Sequence, residues 1–207
     1  MAGATLTQPK EDVRPGSTGT QSAYLKSQKA SVMGIGKFAA GNIFVGEFGG
    51  LVGTNGLVNF GRPCTARPVA LHGWVKYNCG VIDEVGQVPS ARPDLKKGDN
   101  DEGQIAIAVG NWTAAEYGGS EECPVVVNTQ NESTFFNPKG KDVIGSGELI
   151  FAESTDGWIE CTLPIDYRST NEIPTHIIII CTGSHFGDYF TGSTQSLMLV
   201  DDFELIY

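Results

Sequence analysis

Long apolar runs are missing from this chain. The longest, Ile177-Ile178-Ile179-Ile180-Cys181, falls far short of the ~20 residues that cross a bilayer as a helix, so no transmembrane segment is expected. Charge is sparse as well. Asp, Glu, Lys and Arg make up 18% of the 207 residues, against about 25% in an average soluble domain. Positive charge is the scarcer sign, with 14 Lys and Arg against 24 Asp and Glu, for a net charge of −10. The basic residues are scattered and form no stripe. Such a surface repels a phosphate backbone, and nucleic acid is not expected as a partner. The five cysteines, Cys64, Cys79, Cys123, Cys161 and Cys181, are odd in number, widely spaced and without a CxxC pair. That excludes a zinc ribbon or a thioredoxin-type site. Cys161 and Cys181 sit in apolar strand-like runs and read as small buried hydrophobes. One disulfide is compatible with the count, but no pairing is assigned. No secretory signal is visible at Met1-Ala2-Gly3-Ala4-Thr5, which has neither a basic nor an apolar stretch.

Helical periodicity is also missing. No window of about 12 residues keeps an i, i+3, i+4, i+7 stripe free of Gly and Pro. Only a short turn near Asn111 to Gly118 is expected. The 27 glycines punctuate strand after strand instead. Ala23 to Val32 is the first candidate, and Asn42 to Phe48 follows. Ala70 to Asn78 alternates, with Leu71, Gly73, Val75 and Tyr77 on one side and His72, Trp74 and Lys76 on the other. Gln104 to Gly110 puts Ile105, Ile107 and Val109 on one face and small residues on the other. Gly147 to Ser154 and Trp158 to Ile165 flank Asp156-Gly157, a favoured hairpin dipeptide. Thr175 to Thr182 is β-branched almost throughout, as suits a central strand covered on both faces. Leu197 to Tyr207 closes the chain. Nine or ten short strands with Gly/Pro turns predict an all-β fold, a two-sheet antiparallel sandwich. Residues 1 to about 20 read as a flexible lead, and 21 to 207 as one domain. Long loops at Gly86 to Gly103, Gly118 to Glu122 and Thr129 to Gly140 are where binding usually sits on such a scaffold.

Familiar catalytic signatures fail. Gly34-Ile35-Gly36-Lys37 has Ser31 where a P-loop needs its first glycine. Gly183-Ser184-His185 lacks the glycine two residues before the serine of a nucleophile elbow. His72, His176 and His185 have no HExxH spacing.

What remains is local. Asp201 falls by period two among Leu197, Leu199, Phe203 and Leu205. A carboxylate in an apolar row must be paired, hydrogen-bonded or metal-bound. It is read either as a ligand of a structural calcium or as an aspartate bonded to backbone N–H groups at a bulge. Trp74 and Trp158, the latter with Glu160 beside it, lie opposite the apolar rows of their strands, and Trp112 follows the strand ending near Gly110. A tryptophan on a polar face can carry the apolar side of a sugar ring. It can also be a core or edge residue. The loop from Gly183 to Ser193 mixes glycines and aromatics with His185 and Asp188, as suits either a ligand site or a packed connection. A glycosidase needs two carboxyls about 5–10 Å apart. Asp101, Glu102, Glu116, Glu148, Glu160 and Asp188 are candidates, and no tight cluster of them stands out.

Three segments together carry a resemblance. Phe60-Gly61-Arg62-Pro63-Cys64 leads into a strand ending Lys76-Tyr77. Ile173-Pro174-Thr175-His176-Ile177 runs on to Gly187-Asp188-Tyr189-Phe190-Thr191-Gly192. The chain ends Val200-Asp201-Asp202-Phe203-Glu204-Leu205. This combination resembles the putative carbohydrate metabolism domain family, found mainly in envelope lipoproteins of gut polysaccharide-degrading bacteria. Cys64 stands where an aromatic is usual and Trp74 where tyrosine is commoner. The resemblance implies a jelly-roll-like β-sandwich similar to carbohydrate-binding modules. It also implies export, lipid anchoring at the periplasmic or cell-surface side of the envelope, and an upstream domain in the same protein. The expected partner is a polysaccharide or oligosaccharide. Non-catalytic glycan binding is favoured, with Trp74, Trp112, Trp158, Glu160, His185 and Asp188 as ligand residues and Asp201 as the metal ligand. A glycoside hydrolase using a carboxylate pair and a structural or adhesion module are the alternatives.

Overall fold

The computed structural model describes residues 6–32 and 35–207. Its strands begin with β1 (Thr7–Lys10), β2 (Ser22–Lys26), β3 (Gln28–Val32), β4 (Ile35–Ala39), β5 (Asn42–Phe44) and β6 (Gly46–Val52). The next are β7 (Asn55–Phe60), β8 (Arg62–Pro63), β9 (Ala70–Asn78), β10 (Gly103–Gly110) and β11 (Val125–Asn128). The last are β12 (Val143–Phe151), β13 (Ile159–Pro164), β14 (Asp166–Tyr167), β15 (His176–Thr182) and β16 (Leu197–Ile206). One helical turn, α1 (Ala114–Tyr117), ends on Gly118 at φ 80°, where the expected short turn lies.

The architecture is the expected antiparallel sandwich. One sheet runs β1-β2-β16-β9-β13, and the other β14-β12-β10-β15-β5 with β8 also pairing β15. Between them lies the main core, built from the alternating sets read in the sequence. Leu71, Val75 and Tyr77 of β9 and Leu163 of β13 face Ile105, Ile107 and Val109 of β10 and Cys181 of β15. Cys161 packs against this core, and all five cysteines are free. A third sheet, β11-β7-β6, packs on the far side of the second. There Ala108 and Ile178 meet Phe60, Val125, Val127 and Trp112. The isoleucine-rich β15 is therefore covered on both faces over that stretch, as its composition predicts.

Four expectations change. Ala23 to Val32 is not one strand: it breaks at buried Ser27, whose hydroxyl lies 2.8 Å from that of Ser184, and β3 leaves to pair with β4. Asp156-Gly157 does not close a hairpin. β12 and β13 belong to opposite sheets, so the dipeptide turns a corner between layers, with Gly157 at φ 72°. Glu148 and Glu160 are thereby placed in different sheets. The lead is not free over its described residues: β1 pairs with β2, and Asp12 and Arg14 bond to the outer face of the first sheet. Residues 1–5 lie outside the described residues.

The fourth change concerns β16. A bulge between Asp201 and Glu204 shifts its register on β9, with Asp202 at φ 48°. The extra residue reverses parity. Met198 and Val200 join Phe203 and Leu205 at the core, while Asp201 turns outward. Its Oδ2 accepts the Arg14 backbone N–H at 3.1 Å. The apolar row containing Asp201 does not exist, because the bulge lies inside it. Asp201 thus accepts a backbone N–H beside a bulge. Among the described residues no group of three or more His, Cys, Asp or Glu is arranged to hold a metal ion.

Candidate functional site

The third sheet covers only part of the second. Beyond Ala108 and Ile178, the same outward-facing rows continue as Ala106 paired with Ile180 and Gln104 paired with Thr182. These four residues help form the floor of a cleft of about 690 Å³. This volume is typical of a small-molecule site. The sequence leaves it open by its own choice of side chains: β10 alternates isoleucine and valine toward the core with glutamine and alanine away from it.

Aromatic rings make up much of the wall. Phe44 of β5 stands edge-on to Phe60 at 5.1 Å, and Phe60 to Phe136 at 6.4 Å. Phe135 meets Tyr189 edge-on at 4.9 Å. Phe48 lines the mouth and is 64% exposed. Three loops are laced together around this wall. Tyr189 donates its hydroxyl to Glu132 Oε1 at 2.8 Å, and Ser90 donates to Glu132 Oε2 at 3.0 Å. Those bonds hold the Glu132 carboxyl below its ordinary range, with the tyrosine the larger cause.

One wall is polar. Arg92 Nη1 donates to Glu102 Oε1 at 3.2 Å, and His185 Nδ1 lies 3.5 Å from Glu102 Oε2. Gln104 Nε2 donates to Glu148 Oε1 at 2.6 Å and lies 3.3 Å from His185 Nε2. The His185 ring stacks on Phe186 at 4.7 Å, and Phe186 is seated in a small core with Ile82 and Leu95. Beneath this wall lies Asp101, fully buried. Its Oδ2 accepts from Ser184 Oγ at 2.6 Å, Ser196 Oγ at 2.7 Å and the Ser193 N–H at 2.8 Å. Its Oδ1 accepts the Glu102 N–H at 2.9 Å. The knot ties the loop after β15 to the start of β10. Burial raises the Asp101 carboxyl despite these four donors. Asp101, a catalytic candidate by sequence, is a structural anchor.

Asp188 is different. It lines the cleft on a one-turn 3-10 helix, Gly187–Tyr189. Burial pushes its carboxyl up to about 6.

Of the residues singled out by sequence, Glu102, His185 and Asp188 meet in this cleft. Trp112 does not. It is 3% exposed in the core between the second and third sheets, edge-on to Phe136 at 6.0 Å, and offers no platform. Trp74 and Trp158 lie outside the cleft, on the outer face of the first sheet. The Arg14 guanidinium sits 5.4 Å from the Trp74 ring, and the Trp158 indole N–H donates to Asp12 Oδ1 at 2.9 Å. Glu160 shares that face and lies 2.9 Å from His72 Nε2, while His72 Nδ1 lies 3.2 Å from Glu204. Sequence reasoning missed Phe44, Phe48, Phe135 and Phe136. The Phe135-Phe136 pair inside a polar loop was the available signal.

No curated protein matches the chain. Several solved structures share its fold, two of them from Bacteroides species. One is a Bacteroides thetaiotaomicron protein described as a putative glycoside hydrolase, with a TM-score of 0.68 and 23% identity over 98% of this chain and 57% of that one. The other, from Bacteroides vulgatus and described in the same words, has a TM-score of 0.66 and 20% identity over 97% of this chain and 77% of that one. The chain thus spans less than two thirds of the first relative's length. The family profile named putative carbohydrate metabolism domain matches residues 4–206, nearly the whole of the sandwich, and the chain belongs to that family.

Proposed function

We propose that the chain is a glycan-binding module and that the cleft over the second sheet takes the sugar. The observation that carries this is the pairing of aromatic walls with a wall of amide, carboxylate and imidazole groups over one open floor. Aromatic rings offer flat apolar surface to the C–H faces of pyranoses, and the polar wall offers partners for their hydroxyls. Phe48, exposed at the mouth, has the burial of a platform rather than of a core residue. Family membership supports a carbohydrate as the ligand. The setting we propose, an exported envelope protein with a further domain, rests on the family resemblance.

The test is affinity electrophoresis and calorimetry on a panel of polysaccharides. Ala106→Trp, which fills the floor, abolishes retardation in this account, while Trp74→Ala leaves it unchanged. Binding that survives Ala106→Trp in a folded protein removes the cleft from the account.

A second reading has one observation in its favour: two carboxyl residues, Glu102 and Asp188, line the same cleft. A glycoside hydrolase would shorten whichever glycan the panel identifies. Intact glycan after prolonged incubation across acid and neutral pH removes this reading.

A further inference from the structure

The carboxylates around the cleft are almost all provided for. Glu102 has Arg92 and His185, Glu148 has Gln104, Glu132 has Tyr189 and Ser90, and buried Asp101 has four donors. Asp188 is the exception. Among the described residues its carboxyl has no hydrogen bond and no ion pair, although it lines the cleft and the residue is half-buried. A half-buried carboxyl that no protein donor meets is left to water or to a ligand. Ionised, it only accepts hydrogen bonds, so what it lacks is a donor. Of the cations that line the cleft, Arg92 is paired with Glu102 and Asp94, while Lys37 Nζ is bonded to the Asn55 amide oxygen at 3.1 Å and sits 4.1 Å from the Phe190 ring.

Resting on the glycan reading of the cleft, we propose that Asp188 is the anchor for an uncharged pyranose, accepting hydrogen bonds from two adjacent sugar hydroxyls. Adjacent ring hydroxyls are spaced to meet the two oxygens of one carboxylate. An acidic sugar is repelled by Asp188 and Glu102, and Arg92 is already paired with carboxylates. The class is therefore neutral hexose or pentose oligomers rather than uronates.

A pH dependence follows. Burial raises the free carboxyl to about 6, and hydroxyl donors favour its ionised form. Affinity therefore grows as pH rises through about 6 and falls below it. The titratable and charged groups that share the cleft are Lys37 from β4, Arg92 and Glu102 from the segment before β10, and His185 and Tyr189 from the loop carrying Asp188. The Asp188 contribution is isolated by substitution.

The experiment measures affinity for xylo-, cello-, manno- and malto-hexaose and for a galacturonate hexamer, from pH 4.5 to 8, on wild type, Asp188→Asn and Ala106→Trp. Thermal unfolding is recorded without sugar. The expected result is a neutral hexamer as best ligand, at least tenfold weaker binding by Asp188→Asn at pH 7.5 and a flatter pH profile. The Asp188→Asn midpoint of unfolding is no lower than wild type, since an unpaired charge is removed; a purely structural aspartate would lower it. Undiminished affinity in Asp188→Asn, or preference for the galacturonate hexamer, overturns the proposal. If Ala106→Trp abolishes binding while Asp188→Asn does not, the cleft stands and the anchor falls. If no hexamer binds the wild type, both fall.

Discussion

Phe203 stands over Gly73, across the seam between the last strand and its neighbour. A Cβ on the glycine would lie 2.0 Å from the ring's Cδ1. The bulge at Asp202 puts the ring there by turning Phe203 inward. Gly73→Ala therefore has no room without moving a packed aromatic ring. Overpacking of this kind costs roughly 1–3 kcal/mol. A fall of several degrees in the thermal midpoint checks it, and an unchanged midpoint contradicts the placement of the bulge.

Asp101 is expected to matter more than any other carboxylate for the shape of the cleft. Asp101→Ala leaves two serine hydroxyls and two backbone N–H groups without their shared acceptor. The expected loss is about 3–5 kcal/mol, the range for breaking a buried charged network. Hydrogen exchange should show the loop 183–196 opening before the strands. Uniform loss of protection would contradict its role as a local anchor.

The three tryptophans separate cleanly by substitution. Trp112→Ala removes a core side chain and costs about 3–5 kcal/mol. Trp74→Ala, which loses mainly its contact with Arg14, costs much less. Urea unfolding of the two variants checks the order, and equal losses would contradict it.

Acid reaches the first sheet through Asp12. Hydrogen bonds from Lys76 and Trp158 hold its carboxyl below the usual 3.8. Because the folded pKa is depressed, the stabilisation is present above about 4, the unfolded value, and is lost as pH falls through the lower folded one. The Trp158 indole should exchange a charged acceptor for a weaker neutral one in the same step, shifting the emission of wild type but not of Asp12→Asn. A shift identical in both would contradict the assignment.

The sandwich was legible because its strands keep period two against a dry interior. Leu71, Val75 and Tyr77, and Ile105, Ile107 and Val109, face inward as their spacing predicts. Legibility failed where one residue changes parity or one turn changes layer. Asp202 reverses the faces of β16, and Asp156-Gly157 carries the chain from one sheet to the other instead of back along its own. Neither event leaves a composition signal. His185 and Asp188 were found because glycines and aromatics crowd a loop between two long strands. The tryptophans misled because an indole on a polar face looks the same in sequence whether sugar or chain covers it. Here Asp12 and Arg14 cover it, from a segment whose composition reads as loose. The phenylalanine walls come from four separate stretches, and only the fold brings them together.

The most direct measurement uses the indoles as built-in reporters. Nitrogen-15 spectra are recorded while the best-binding oligosaccharide is titrated into wild-type protein. The account predicts shifts at the backbone amides of Gln104, Ala106, Thr182, His185 and Asp188, with the indole N–H signals of Trp74 and Trp158 unmoved. Shifts centred on those two indoles, with the amides over the second sheet silent, would put the sugar on the opposite face and contradict it.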